Sequence, residues 1–170
     1  MEIEQITATM QANAQRIAAW VAGVGEAQAR WKPDAANWSI LEVVNHLLDE
    51  EREDFRQRID YTLHRPSEVW PPIDPSGWVT ARRYNERDLA ESLAAFLAER
   101  ERSLVWLRGL PAPDWETTAI APWGDPFPAG KLLAAWVAHD LLHLRQLVEL
   151  HYAWTTAGLA PYTCEYAGDW

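Results

Sequence analysis

The sequence predicts an all-α protein, a four-helix bundle with two long loops rich in proline and tryptophan. Four stretches repeat apolar residues at steps of three and four, the pattern of a helix with one buried face. Those stretches carry start or stop signals of their own. No stretch alternates strongly enough between apolar and polar residues to be read as a sheet.

The first helix is expected over residues 2–23. Ile3, Ile6, Met10, Ile17, Trp20 and Val21 form its stripe, and Gly23 and Gly25 end it. The second is expected over 40–64. Ser39 followed by Glu42 is a capping box, S-x-x-E, ahead of Ile40, Leu41, Val43, Val44, Leu47 and Leu48. Phe55 and Ile59 continue that arc, and Pro66 stops the helix. The third is expected over 85–109, with Asn85 as N-cap, a stripe from Leu89 through Phe96 to Leu107, and Gly109 and Pro111 as the stop. The fourth is expected over 129–153. There Leu132, Trp136, His139, His143, Gln146 and Leu150 are spaced 4-3-4-3-4, which is a bundle seam. The connections 65–84 and 110–128 exceed the usual length in a bundle. Each is either an ordered cover or a packed crossover.

Composition bounds the rest. A chain of 170 residues with 48% apolar and 24% charged residues reads as one globular domain spanning 1–170. A core of that size folds without a disulfide or a metal, so a metal here would serve chemistry. Fifteen basic against 25 acidic residues give a net charge of -10, which argues against a nucleic-acid partner. Cys164 is the single cysteine, so no internal disulfide and no Cys-rich zinc site can form. The acidic start lacks the order of a signal peptide, and no apolar run approaches the ~20 residues a bilayer needs. The chain therefore reads as cytoplasmic, with no membrane partner. Of eleven tryptophans, Trp20, Trp31, Trp38, Trp106, Trp136 and Trp154 lie in or beside predicted helices, where large rings suit a core or a pocket wall.

The histidines carry the functional signal. His139 and His143 are four apart, about one helical turn, so both imidazoles face the same point. They and Gln146 replace three apolar residues of the seam, and such burial costs free energy unless each group finds a partner. The alternatives are a metal ion and a buried polar network with Gln146 and Asp140. His46 lies about 60° from Val43, at the edge of the buried arc, as a ligand open to solvent or as a surface histidine. His64 is about 27 Å along the helix from His46, and His151 about 12 Å from His143, so both read as plain surface groups. Three neutral imidazoles without a thiolate fit zinc or nickel, among other divalent ions, and leave a coordination position for water or substrate. Glu42 has the cap to make. Glu50 leans toward the buried arc as a candidate for orienting a ligand or moving a proton, and Asp49 leans toward solvent.

These residues resemble a known family. The segment WKPDAANWSILEVVNHLLDEE resembles the second-helix signature of the DinB/YfiT superfamily, and AAWVAHDLLHLRQL resembles its fourth-helix signature, H-D-x-x-H-x-x-Q. The resemblance spans about Trp31 to Leu150. It implies an up-down-down-up bundle, one divalent metal ion on His46, His139 and His143, and a homodimer. It also implies metal-dependent chemistry with a low-molecular-weight thiol, which makes a thiol S-transferase acting on small electrophiles the first functional expectation. A small hydrolase using a metal-bound water and a non-enzymatic, stress-related binding module are the alternatives. In the transferase reading Trp70, Trp78 or Trp123 would hold the electrophile, and Arg82 and Arg83 would attract the thiol's carboxylates. Cys164, in the tail, is a poor candidate nucleophile. No residue is assigned as catalytic, and no organic cofactor is expected.

Overall fold

The computed structural model describes residues 2–168; Met1, Asp169 and Trp170, the ends of the expected domain, lie outside the described residues. Helix α1 (Ile3–Val21) turns Met10, Ala14, Ile17 and Val21 inward. It ends where Gly23 takes a φ of +78°, a conformation that a Cβ would strain. A short helix the periodicity did not predict, α2 (Glu26–Arg30), follows.

The second long helix runs unbroken from Ile40 to His64 but changes its winding. It comprises α3 (Ile40–Asp49), a π-helical turn (Glu50–Phe55) and α4 (Arg56–His64). The expected capping box is present: Ser39 Oγ accepts from the Glu42 N–H at 3.1 Å, and the Glu42 carboxylate accepts from the Ser39 N–H at 2.8 Å. A π turn accommodates one extra residue per turn. Here it brings Glu50, Glu51, Asp54 and Phe55 all inside.

The connection after α4 is more than a loop. It holds α5 (Pro75–Ala81), capped by Asp74, and a 3-10 turn (Tyr84–Glu86), and both pack on α3. All ten residues of α3 are buried as a result. Asn85, expected to cap the third long helix, belongs to that 3-10 turn instead. Its side chain accepts from Ser39 Oγ at 2.7 Å and donates to the Arg30 carbonyl at 3.1 Å. The extended backbone at Arg87 breaks the helix there, and Asp88 caps α6 (Leu89–Gly109) by accepting from the Glu91 N–H at 2.8 Å.

The second long connection corrects the expectation of no sheet. Strands β1 (Thr118–Ile120) and β2 (Pro126–Pro128) pair antiparallel with Ala119 opposite Phe127. Three residues are too few to display an alternation. The hairpin tip turns at Gly124, whose φ is +97°. Helix α7 (Ala129–Gly158) then runs beyond the expected end at residue 153.

The architecture is the predicted four-helix bundle. Helix α1 packs on α6 and α7, and the helix of residues 40–64 packs on the same two. The up-down-down-up order makes the long connection from α4 to α6 a crossover between parallel helices. One apolar cluster holds Ile17, Val44, Leu47, Phe96 and Leu147, and another holds Met10, Phe55, Leu104, Leu132 and Trp136. Glu51, Arg100 and Asp140 occupy the sequence positions between the two clusters on their helices. Among the described residues no helix is long and apolar enough to cross a membrane.

Candidate metal centre

His46 projects from α3, and His139 and His143 from α7. The Nε2 atoms of His46 and His139 stand 3.3 Å apart, and those of His139 and His143 stand 3.1 Å apart. One ligand atom from each lies within 4.8 Å of the others. Nitrogens bound to one tetrahedral ion at about 2.0–2.1 Å lie roughly 3.3 Å from each other. The observed separations are those of ligands around a common centre.

The protonation states fit as well. Burial, then the neighbouring His143 and His139, push His46 down to about 2. Burial, then His143 and the Arg100 guanidinium, push His139 down to about 3. Burial lowers His143 too, against the pull of Gln146 and Asp140. All three imidazoles are therefore neutral near pH 7, the state a ligand needs. The Gln146 amide oxygen lies 2.8 Å from His143 Nδ1. An acceptor there puts the proton on Nδ1 and leaves the Nε2 lone pair facing the other two rings.

His46 Nδ1 faces Glu50 Oε1 at 3.9 Å, and neither buried atom has a hydrogen-bond partner. A carboxylate behind a ligating imidazole is the usual orienting arrangement. Burial, reinforced by Asp54, holds the Glu50 carboxyl up at about 9, and burial also raises Asp54, which Arg58 pairs at 2.8 Å. The inward lean expected of Glu50 is what the structure has. Rings close the site: Trp38 lies 4.8 Å from His46 and stacks parallel to His143 at 6.3 Å, and Phe55 meets His139 edge-on at 5.1 Å.

Other expectations are corrected. His46 is not at an open edge: it is 5% exposed, packed against Trp38, His139 and His143. Asp49 does not lean toward solvent. It is fully buried, accepting from Tyr84 Oη and from Arg82 and Arg52. Arg82 is engaged by Asp49 at 2.6 Å and Glu53 at 2.7 Å, so it is not a free cation, and Arg83 forms an exposed pair with Glu86. Asp140 turns away from the histidines to Arg100. Trp70 is buried in the core and Trp123 is exposed, so the ring over the site is Trp38. His64 pairs with Asp60 at 3.0 Å, and His151 sits between Gln28 and the Trp20 carbonyl, both outside the cluster as expected. Sequence reasoning passed over Arg100. Its signal was there: it stands four residues after Phe96 and four before Leu104, a charge in the middle of an apolar stripe.

The family model of the DinB superfamily matches residues 9–147, a span containing all three histidines. The chain belongs to the DinB superfamily. Two solved structures share the DinB-like fold. YfiT from Bacillus subtilis, described as a probable metal-dependent hydrolase with an unusual four-helix bundle topology, aligns with a TM-score of 0.79 at 18% identity, over 91% of this chain and 88% of that one. A mycothiol-dependent maleylpyruvate isomerase aligns with a TM-score of 0.68 at 11% identity, over 86% of this chain and 61% of that one. Identities this low carry the fold alone. No curated protein matches the sequence.

Proposed function

We propose that this DinB-superfamily protein is a divalent-metal-dependent enzyme, with zinc or nickel held by His46, His139 and His143, and that it hydrolyses a small ester or amide. The observation that carries the reading is the convergence of three neutral imidazole Nε2 atoms at 3.1 and 3.3 Å. A divalent ion held there supplies Lewis acidity, lowering the pKa of what it coordinates and polarising a carbonyl. The chain's own groups do the rest. Gln146 holds the His143 proton on Nδ1, and the Glu50 carboxyl stands 3.9 Å behind His46 Nδ1 without a hydrogen bond, placed to limit how the ring turns. Trp38 screens the imidazoles from bulk water, which strengthens every electrostatic contact inside.

The engagement of Arg82 by Asp49 and Glu53 moves hydrolysis ahead of thiol transfer, because one of the two cations assigned to a thiol's carboxylates is taken; the exposed Arg83–Glu86 pair does not hold the other. Thiol S-transfer to a small electrophile is the second reading, favoured by the likeness to the mycothiol-dependent isomerase. A homodimer would use the outward face of α7, where Leu141 and Leu142 are more than half exposed, and light scattering at micromolar concentration tests it.

The deciding experiment assays zinc- and nickel-loaded protein against a panel of esters and amides, with and without several thiols. Turnover without thiol that disappears in His139→Ala supports hydrolysis. Turnover only with added thiol, with a thiol conjugate formed and Cys164→Ser fully active, replaces it with the second reading. Protein that elemental analysis finds metal-free after supplementation removes both.

A further inference from the structure

We infer that Arg100 is the positioning residue of this centre: through Glu51 and Asp140 it sets where the two ligand-bearing helices stand relative to each other. The inference rests on the metal reading above, but concerns residues that touch no ligand position.

The guanidinium is 1% exposed and its donors are spoken for. Nε donates to Glu51 Oε1 at 2.8 Å. Nη1 donates to the Met10 carbonyl at 2.9 Å and to Asp140 Oδ2 at 2.8 Å, and Nη2 donates to Asp140 Oδ1 at 2.7 Å. Trp136 Nε1 donates to the same Glu51 oxygen at 2.7 Å, and Asn13 Nδ2 reaches Asp140 at 3.3 Å. One side chain thus ties together all four long helices. Its two acidic partners are the residues that matter for the site. Asp140 is next in the chain to His139, and Glu51 is five residues past His46, within the π turn.

A bidentate fork restrains direction as well as distance. Gripping Asp140 by both oxygens limits how far α7 can slide along its axis and how far it can roll, and either motion would carry His139 and His143 with it. The link from Nε to Glu51 refers that position to the helix bearing His46. Stability is a weak reason for such a network, since apolar residues of similar volume commonly serve a fold as well as a buried ionic triad or better. A demand for register between two ligand sets is a sufficient reason.

Three variants test this. Arg100→Lys keeps the charge and removes the fork. Asp140→Asn keeps the size and removes one side of the grip. The triple Glu51→Leu, Arg100→Met, Asp140→Leu fills the space with apolar groups. Each is measured metal-free for helical content, for Co2+ affinity and d–d absorption, and for the side-chain 15N resonances of His139 and His143 without metal. We expect folded variants that bind Co2+ about 10–100-fold more weakly, with displaced d–d bands and shifted histidine resonances. Folded variants with the parent's affinity, bands and resonances would overturn the inference and leave Arg100 a purely structural residue. Should the triple variant not fold, Arg100→Lys and Asp140→Asn decide. Should the parent itself bind no Co2+, the metal reading fails separately, and the metal-free resonances decide this one: shifted supports it, unshifted overturns it.

Discussion

Two buried polar clusters lie within two turns of each other on the helix of residues 40–64, and they are finished to different degrees. Around Glu51 the Arg100 guanidinium meets two carboxylates and a carbonyl, and Trp136 Nε1 adds a further donor. Around His46 three imidazoles face one another, and His46 Nδ1 and Glu50 Oε1 are left without hydrogen bonds. Buried polar atoms are ordinarily paired, so exceptions call for an explanation. The first cluster is paired within the fold except at Glu51 Oε2, which has no hydrogen-bond partner. The second leaves more unpaired, beside the convergent imidazole nitrogens on which the proposed metal would sit. Loss of the first should cost stability and weaken metal binding with it, and loss of the second should cost binding with little change in stability.

Breaking the first cluster should give the largest effect. Arg100→Met strands Glu51 and Asp140 as buried unpaired charges, and we expect a loss of about 3–5 kcal/mol in urea unfolding. His139→Ala should move the metal-free midpoint much less while abolishing tight zinc or nickel binding by titration calorimetry. Equal stability losses in the two would erase the distinction. Asp49→Ala, which leaves Tyr84 Oη and Arg82 without their shared acceptor, should cost about 3 kcal/mol and expose residues 65–88 to limited proteolysis.

The pH dependence of the metal-free protein sharpens the contrast. Below about 6.5 the unfolded chain takes up protons that buried His46 and His139, held at about 2 and about 3, refuse, so stability falls as pH drops. Above that point Glu50 gives the opposite slope. It keeps its proton up to about 9 in the fold but releases it near 4.5 when unfolded, so stability falls as pH rises. Melting temperature should therefore peak near pH 6.5, with slopes of about 1 kcal/mol per pH unit on either side. A flat profile would mean that these groups are more hydrated than their burial implies. Ser39→Ala, which removes a cap outside both clusters, should cost about 1 kcal/mol and leave metal affinity unchanged.

What could be read in advance divides along the same line. Bundle, helix ends at Ser39 and Gly109, and the pair His139 and His143 follow from local periodicity and from spacing along one helix, whereas His46 joined them only through the family resemblance. The depth of His46 and the burial of Asp49 do not: His46 packs against Trp38 and the two histidines of α7, and Asp49 is covered by Tyr84 and Arg82, more than thirty residues on, folding back over α3. Asn85 has the composition of a cap yet serves Ser39 and Arg30, which a reading of neighbours along the chain cannot supply. The hairpin at Thr118–Ile120 escaped for want of length.

The π turn at Glu50–Phe55 also bears on how this protein can diverge. Substitutions adjust a site by degrees, but the number of residues in a helical turn changes only in whole steps of about 100° of rotation. Removing one residue here would swing Phe55, and with it the whole of α4, away from His139 and Trp136 at a stroke. Intermediate sequences that wind halfway do not exist. The turn therefore separates descendants that keep it from those that lose it by a gap rather than a slope. An alignment with a relative whose second helix is wound evenly should need a one-residue break in the middle of that helix, between Asp49 and Arg56.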